Sequence, residues 1–267
     1  MEGMATRTAR HGAWFSGALL ASALLLGCVT TETPGSGPQS DSSQAVAKLN
    51  VGLDYLSQGR TAMAIRELQL AAELKPDDPE ILLWLGEGYR RKGRLEEAQA
   101  YMEEALVASP NSHLVRLNLS GLYIQLERYD DAIIQADALM ADATFPTPWE
   151  ALNNRGWAEL QIGAFESAEA SFVEALEYHP RYWPSRLNLG ILASERGDKR
   201  AAIEHFNEVL ERGPDAFALA EANYRIGEVY VTWGHRQKAI GHFQAAIDNS
   251  PNSRWGEQAR GYLDLLQ

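Results

Sequence analysis

The chain repeats itself. A small residue recurs at Gly52, Gly86, Ser120, Gly156, Gly190 and Gly227, at intervals of 34, 34, 36, 34 and 37 residues. Twelve residues after each stands an alanine: Ala64, Ala98, Ala132, Ala168, Ala202 and Ala239. Four further on come Leu68, Met102, Ala136, Phe172, Phe206 and Phe243, and three beyond those Ala71, Ala105, Leu139, Ala175, Val209 and Ala246. Prolines 76, 110, 180, 214 and 251 close five of the six units. Each unit reads as two amphipathic helices, apolar at i, i+3, i+4 and i+7, joined by a short turn such as Gln58-Gly59-Arg60 or Lys92-Gly93-Arg94. The small residues let the paired helices approach closely. The closing proline cannot continue a helix, and Asp78-Pro79 reads as an N-cap with proline at the first helical position. One such hairpin cannot bury both its faces, so neighbours must stack and share a core.

These residues resemble the tetratricopeptide repeat over about residues 45–253. The resemblance implies an all-α, right-handed superhelical solenoid of six repeats with a concave and a convex side. Their expected bounds are 45–78, 79–112, 113–148, 149–182, 183–219 and 220–253, followed by a capping helix over 254–267. Two junctions are irregular. The third unit runs through Ala143-Thr144-Phe145-Pro146-Thr147-Pro148-Trp149, two residues longer than its neighbours, and the fifth ends in Gly213-Pro214-Asp215-Ala216-Phe217, three residues longer. Insertions at such places map to loops on one edge of a solenoid, where extra length costs little. Loop drift accounts for both, and a partner contact from Phe145 and Trp149 is the other reading.

The N-terminus carries an address. Arg7 and Arg10 precede an apolar run from Ala13 to Leu26, too short to span a bilayer and of signal-peptide length. Leu24-Leu25-Leu26-Gly27-Cys28 resembles the bacterial lipoprotein signal, and Cys28 is the single cysteine of the chain. The resemblance implies removal of residues 1–27 and lipidation of Cys28, with palmitate among the acyl chains. Several acyl chains together suffice for stable anchoring. Val29 after the cysteine, by the same resemblance, implies sorting to the outer membrane, with the repeats facing the periplasm. Residues 28–44, rich in Thr, Pro, Gly and Ser, read as a flexible tether.

Composition excludes other classes. With 24 Lys+Arg against 36 Asp+Glu, the formal charge of −12 is wrong for non-specific nucleic-acid binding, which displaces counterions with a basic surface. One cysteine allows no internal disulfide and no cysteine-rich metal knuckle. The six histidines are scattered, and the seven-residue spacing of His235 and His242 lacks the closeness and the carboxylate of a zinc helix. There is no glycine-rich phosphate loop and no Gly-x-Ser-x-Gly elbow. Paired acids such as Glu96-Glu97 and Asp130-Asp131 suit solvated helix faces. The chain reads as a non-enzyme, with no metal, no cofactor beyond the covalent lipid, and no small-molecule substrate.

In the repeat family the first helix of each unit lines the concave face. Carried over, this makes Val46, Leu49, Leu53 and Leu56 one apolar stripe, and Leu117, Ile124, Trp157, Leu160, Leu187 and Ile191 a second. The second unit instead offers Glu80, Glu87, Arg90 and Arg91. The lysine, asparagine and arginine clamp by which some members hold a peptide carboxylate is absent, its places holding Leu53 and Ser57. An apolar groove of this extent suits a protein partner.

Signal, lipid cysteine, short tether and six repeats together resemble the pilotins of type IV pilus systems, the Tgl, PilF and PilW group. Leu49-Asn50-Val51-Gly52-Leu53-Asp54-Tyr55-Leu56 is similar to that group's opening repeat, as is Phe145-Pro146 leading into Asn153-Asn154-Arg155-Gly156. The resemblance implies an outer-membrane lipoprotein that binds secretin subunits and promotes their insertion and multimerisation, in service of pilus biogenesis and twitching motility. One alternative is a general periplasmic scaffold for outer-membrane or cell-wall assembly, working through the charged second unit; another is an enzyme accessory subunit or carbohydrate-handling protein, for which only Trp157, Tyr224 and Asn153 of the groove come close.

Overall fold

The computed structural model describes residues 38–213 and 215–266. The expected lipoprotein signal, Cys28 and most of the expected tether lie outside the described residues. Among the described residues the chain forms thirteen α-helices and no strand. They pair as α1 (Pro38–Ser57) with α2 (Thr61–Leu74), α3 (Pro79–Arg91) with α4 (Leu95–Ala108), and α5 (His113–Gln125) with α6 (Tyr129–Met140). Next come α7 (Pro148–Gln161) with α8 (Phe165–Tyr178), α9 (Trp183–Glu195) with α10 (Lys199–Arg212), and α11 (Ala216–Trp233) with α12 (Arg236–Asn249). The last helix, α13 (Arg254–Leu266), covers the end of the row.

One turn closes every hairpin. The amide of Arg60 donates to the carbonyl of Tyr55 at 2.8 Å, and equivalent bonds join Arg94 to Tyr89, Arg128 to Tyr123, Ala164 to Glu159, Asp198 to Ala193 and His235 to Tyr230. This six-to-one bond satisfies the last carbonyls of the first helix, and the residue before the donor must adopt a left-handed conformation. Glycine supplies it in five units, with φ between 71° and 80°, and Glu127 at φ 58° in the third. In the first three units the arginine also folds its guanidinium over the tyrosine ring, at 4.8, 5.0 and 4.6 Å.

The paired helices meet at the small residues. A Cβ placed on Gly156 would lie 2.7 Å from Cε1 of Phe172, and one on Gly190 would lie 2.5 Å from Cε1 of Phe206. Leu68, Met102 and Phe243 occupy the same place in their units. The six repeated alanines on the second helices are fully buried. α13 keeps the register of a further first helix, since Gly261 follows Gly227 by 34 residues. It seats Trp255 and Ala259 in the core and stacks Tyr262 on Phe243 with ring centroids 4.6 Å apart.

Three expectations need correction. The tether was expected to reach residue 44, but α1 begins at Pro38. Once α1 is nucleated against α2, each further residue adds a helical bond at little cost, and Asp41 in the first turn suits the helix dipole. The fifth insertion is not a loop: α11 starts at Ala216, before the expected boundary of 219/220, capped by Asp215 Oδ1 accepting from the Ala218 amide at 2.8 Å. The third insertion does form a loop, yet Phe145 is unavailable to a partner. It is buried among Ala136, Leu139 and Ala151, with its ring 5.3 Å from that of His113. Asp142 fixes this loop, accepting from the Thr144 amide at 2.8 Å, the Thr144 hydroxyl at 2.7 Å and His113 Nε2 at 2.7 Å.

Candidate functional site

The first helices of units three to six, with α13, surround a groove of about 760 Å³. Its apolar floor comes from Ile124 on α5, Trp157 on α7, Leu187 and Ile191 on α9, and Tyr224 on α11, with Trp183 and Trp255 beside them. Its polar groups are mostly side-chain amides: Gln125, Asn153, Asn154, Asn188 and Gln258. Residues four apart on a helix lie one above the other, so Asn153 stands one turn from Trp157 on the same face.

Two asparagines are locked together. Asn153 Oδ1 accepts from the Ser185 hydroxyl and from Asn188 Nδ2, both at 3.0 Å. Asn153 keeps its Nδ2 donor and Asn188, 8% exposed, keeps its Oδ1 acceptor. Both residues line the groove.

At the α11–α13 end the charges balance. Arg225 Nη1 donates to Glu228 at 3.2 Å, while Arg225 and Arg254 approach the buried Glu221 carboxylate at 4.0 and 3.9 Å. Burial pushes the Glu221 carboxyl above the usual carboxylate range, and the two arginines only partly offset that. Both guanidiniums also lie over Trp255, Arg254 at 4.0 Å and Arg225 at 5.0 Å. Burial, then the neighbouring Glu228, pushes the Tyr224 hydroxyl up, so it stays protonated.

Of the residues singled out in sequence, Ile124, Trp157, Leu187 and Ile191 come together in this groove. Leu160 does not: at 5% exposure it packs with Phe172, Leu189 and Leu192 in the core. Leu117 is half-buried beside the Phe145 cluster. The first-unit stripe is corrected as a surface. Leu49 and Leu56 are buried in the core shared by the first three units, Leu53 packs against that core, and only Val46 is openly exposed. The charges of the second unit are likewise engaged. Glu87 accepts from Arg90 Nε at 2.6 Å and Arg91 Nε at 2.6 Å, and Arg91 Nη1 donates to the Leu56 carbonyl at 2.8 Å. Burial raises the Glu87 carboxyl, but its two arginines outweigh that and hold it below its ordinary value.

Asn154, Asn188, Arg225 and the whole α13 contribution were missed. The first three share one repeat position, two residues before Gly156, Gly190 and Gly227, so the periodicity itself held the signal. Among the described residues no group of three or more His, Cys, Asp or Glu is placed to hold a metal ion, and no helix is long and apolar enough to cross a membrane. His235 and His242 flank Tyr230, with ring centroids at 5.9 and 5.6 Å. His242 bonds Asn223, and burial lowers its pKa.

Stacked helical hairpins around an elongated groove define a solenoid protein that offers a binding surface. Models of the tetratricopeptide repeat match residues 49–113, 153–217 and 187–254, and a second such model matches 89–153. The chain belongs to the tetratricopeptide-repeat family. It is 26% identical over 149 residues to the Hsp70-Hsp90 organising protein of Plasmodium falciparum, a stretch covering 55% of this chain and 58% of that protein, less than two thirds of its length. It is 24% identical over 208 residues to the type IV pilus assembly protein PilF of Pseudomonas aeruginosa, covering 77% of this chain and 82% of that one. Among solved structures, the type IV pilus biogenesis factor PilW superposes with a TM-score of 0.69 at 22% identity, over 80% of this chain and 97% of PilW. The Pseudomonas aeruginosa pilF structure gives 0.64 at 18% identity, over 83% and 99%. At these identities the two superpositions establish a shared fold.

Proposed function

We propose that this protein is a non-enzymatic binding scaffold of type IV pilus biogenesis, a pilotin anchored to the outer membrane through lipid on Cys28. Its groove captures an apolar segment of a secretin subunit. Anchoring raises the local concentration of subunits at the membrane, and capture shields an exposed strand edge until the ring closes. The observation that carries this reading is the extent of the similarity to PilF, 77% of this chain and 82% of the relative, against the partial match to the organising protein. A general scaffold working through the second unit has less support, because Glu87, Arg90 and Arg91 are bonded to one another.

The test is an immunoblot of the pilus secretin in outer membranes from cells with and without the gene, solubilised gently enough to keep assembled rings. Loss of rings with persistence of monomer supports the proposal. Unchanged rings would remove the pilus assignment and leave a repeat scaffold with another client.

A further inference from the structure

Among the described residues Arg66, Lys92, Arg181, Arg200 and Arg212 make no ion pair, side-chain hydrogen bond or ring contact. In a chain with 36 Asp+Glu against 24 Lys+Arg, a cation left without a carboxylate stands out, and two of these cations line one cavity. Arg181 and Tyr182 reach it from the turn between α8 and α9, Arg186 from the start of α9, and Glu208 and Arg212 from the second half of α10. Trp183 lines both this cavity and the groove.

Glu208 is the carboxylate of the lining, and Arg186 Nε holds it at 3.3 Å. That leaves Arg181 and Arg212, both exposed, without a counter-charge. Glu177, Glu211 and Asp215 are near in sequence but do not line the cavity, and Asp215 is committed to the cap of α11. The cavity measures about 10 Å³, room for a single oxygen. The Tyr182 hydroxyl has no hydrogen-bond partner among the described residues, and burial, then Glu150, pushes it up to about 12, so it remains a donor. An anion that seats one oxygen in the cavity and turns others toward the two guanidinium forks uses these donors together. A carboxylate has two coplanar oxygens, which one fork satisfies, whereas a phosphate group spreads its oxygens around a tetrahedral centre and reaches both forks.

We propose that this cavity is an anion site for a phosphate group, gripped by Arg181 and Arg212 with Tyr182 donating beside them. The site is independent of what the groove captures. Phosphate of a lipid headgroup and free inorganic phosphate share this chemistry, and the titrations below separate them. The full-length protein is purified in phosphate-free non-ionic detergent, and its arginine Nε–Hε resonances are assigned with single arginine-to-lysine variants. These resonances are followed while sodium phosphate replaces sodium chloride at constant ionic strength. Parallel titrations use sodium acetate and a short-chain phosphatidic acid.

The expected result is a saturable shift of Arg181 and Arg212 with phosphate, while Arg66 and Arg200, equally unpaired, stay in place. Arg181→Gln should weaken phosphate binding read at Arg212 by about tenfold, the loss of one charge-assisted fork, and Tyr182→Phe should weaken it less. Arg181 is exposed, so its replacement leaves the fold intact. Phosphatidic acid binding about tenfold tighter than phosphate identifies a lipid headgroup as the source. Equal or weaker binding by the lipid identifies the free anion, and the site stands in both cases. Shifts of Arg66 and Arg200 in step with Arg181 overturn the site as a general response of surface charge. Acetate binding as tightly as phosphate overturns it in favour of a carboxylate, and the absence of any saturable shift removes it.

Discussion

The hydroxyl of Ser120 donates to the carbonyl of Ala132 at 3.1 Å, spanning the hairpin where the other five units bring a glycine against a large side chain. Opposite Ser120, at the place of Leu68, Met102 and the three phenylalanines, stands Ala136. The first helix gains a hydroxymethyl where the second loses a larger side chain, and Phe145 packs in the same cluster as Ala136. Ser120 and Ala136 are fully buried. Ala136→Phe should therefore overpack the third unit and destabilise it by about 1–3 kcal/mol. Adding Ser120→Gly should recover at least half of that, since it recreates the pairing of Gly156 with Phe172. Hydrogen exchange of α5 and α6 amides reads the local stability that repeat proteins lose unit by unit. Additive losses in the double variant would contradict size exchange as the explanation.

Glu127 is the second departure in the third unit. It holds a left-handed φ of 58° where its counterparts are Gly59, Gly93, Gly163, Gly197 and Gly234. A side chain there costs roughly 1–2 kcal/mol, and glycine would relieve it while adding some freedom to the unfolded chain. Glu127→Gly is expected to stabilise by about 0.5–1 kcal/mol. A rise in the urea midpoint with unchanged slope is the signature, and a fall would mean that Glu127 contributes a contact worth more than the strain.

How much of this was legible depends on what each position touches. The period survives in sequence because glycine, alanine and the large residue are all helix–helix contacts repeated by every unit. The start of α1 was hidden, since Ser40, Asp41, Ser42 and Ser43 suit a linker as well as a first turn. Leu56 and Leu160 occupy the same repeat position as Ile124, yet the first two are core and the third lines the groove. That position lies on the border between the concave surface and the seam between units, so local packing decides its side. The Asn153–Asn188 pair was illegible for a different reason. It is completed by the Ser185 hydroxyl, 32 residues from Asn153, and no local pattern encodes that bond.

The loop of the third unit should be acid-sensitive. Asp142 is held down to about 2, by the Thr144 hydroxyl first and His113 next. Because its folded value lies below the unfolded one, its contribution is complete above pH ~4. It is lost as pH falls from there through about 2. Limited proteolysis by pepsin between residues 141 and 147 should therefore accelerate over that window, as Phe145 loses its tie. Asp142→Asn should cleave faster at pH 4 and show a flatter dependence below it. Equal profiles for the two proteins would remove Asp142 as the fastening.

Trp157 and Leu160 separate groove from core within one turn of α7. Trp157 is half-buried in the groove, whereas Leu160 is 5% exposed against Phe172. Leu160→Ala should cost about 2–5 kcal/mol by leaving a cavity, and lower the amount of folded protein in cells. Trp157→Ala should leave that amount near wild type and abolish assembly of the secretin ring. If Trp157→Ala cells assemble rings normally, capture does not run through this groove.

Glu87 ties the first unit to the second. It accepts from Arg90 and Arg91, and Arg91 in turn caps the end of α1 through the Leu56 carbonyl. The carboxylate is 5% exposed while the arginines remain 31% and 41% exposed, so solvent screens part of the interaction. Removing it leaves two guanidiniums close together without a counter-charge. Glu87→Ala should therefore destabilise the N-terminal end by about 2–3 kcal/mol, below the 3–5 kcal/mol of a fully buried pair because of that screening. Hydrogen exchange should rise in α1 and α2 and stay unchanged in α9 to α13, since a repeat passes stress only to its neighbours. Exchange rising evenly along the chain would show instead that the solenoid unfolds as a single block.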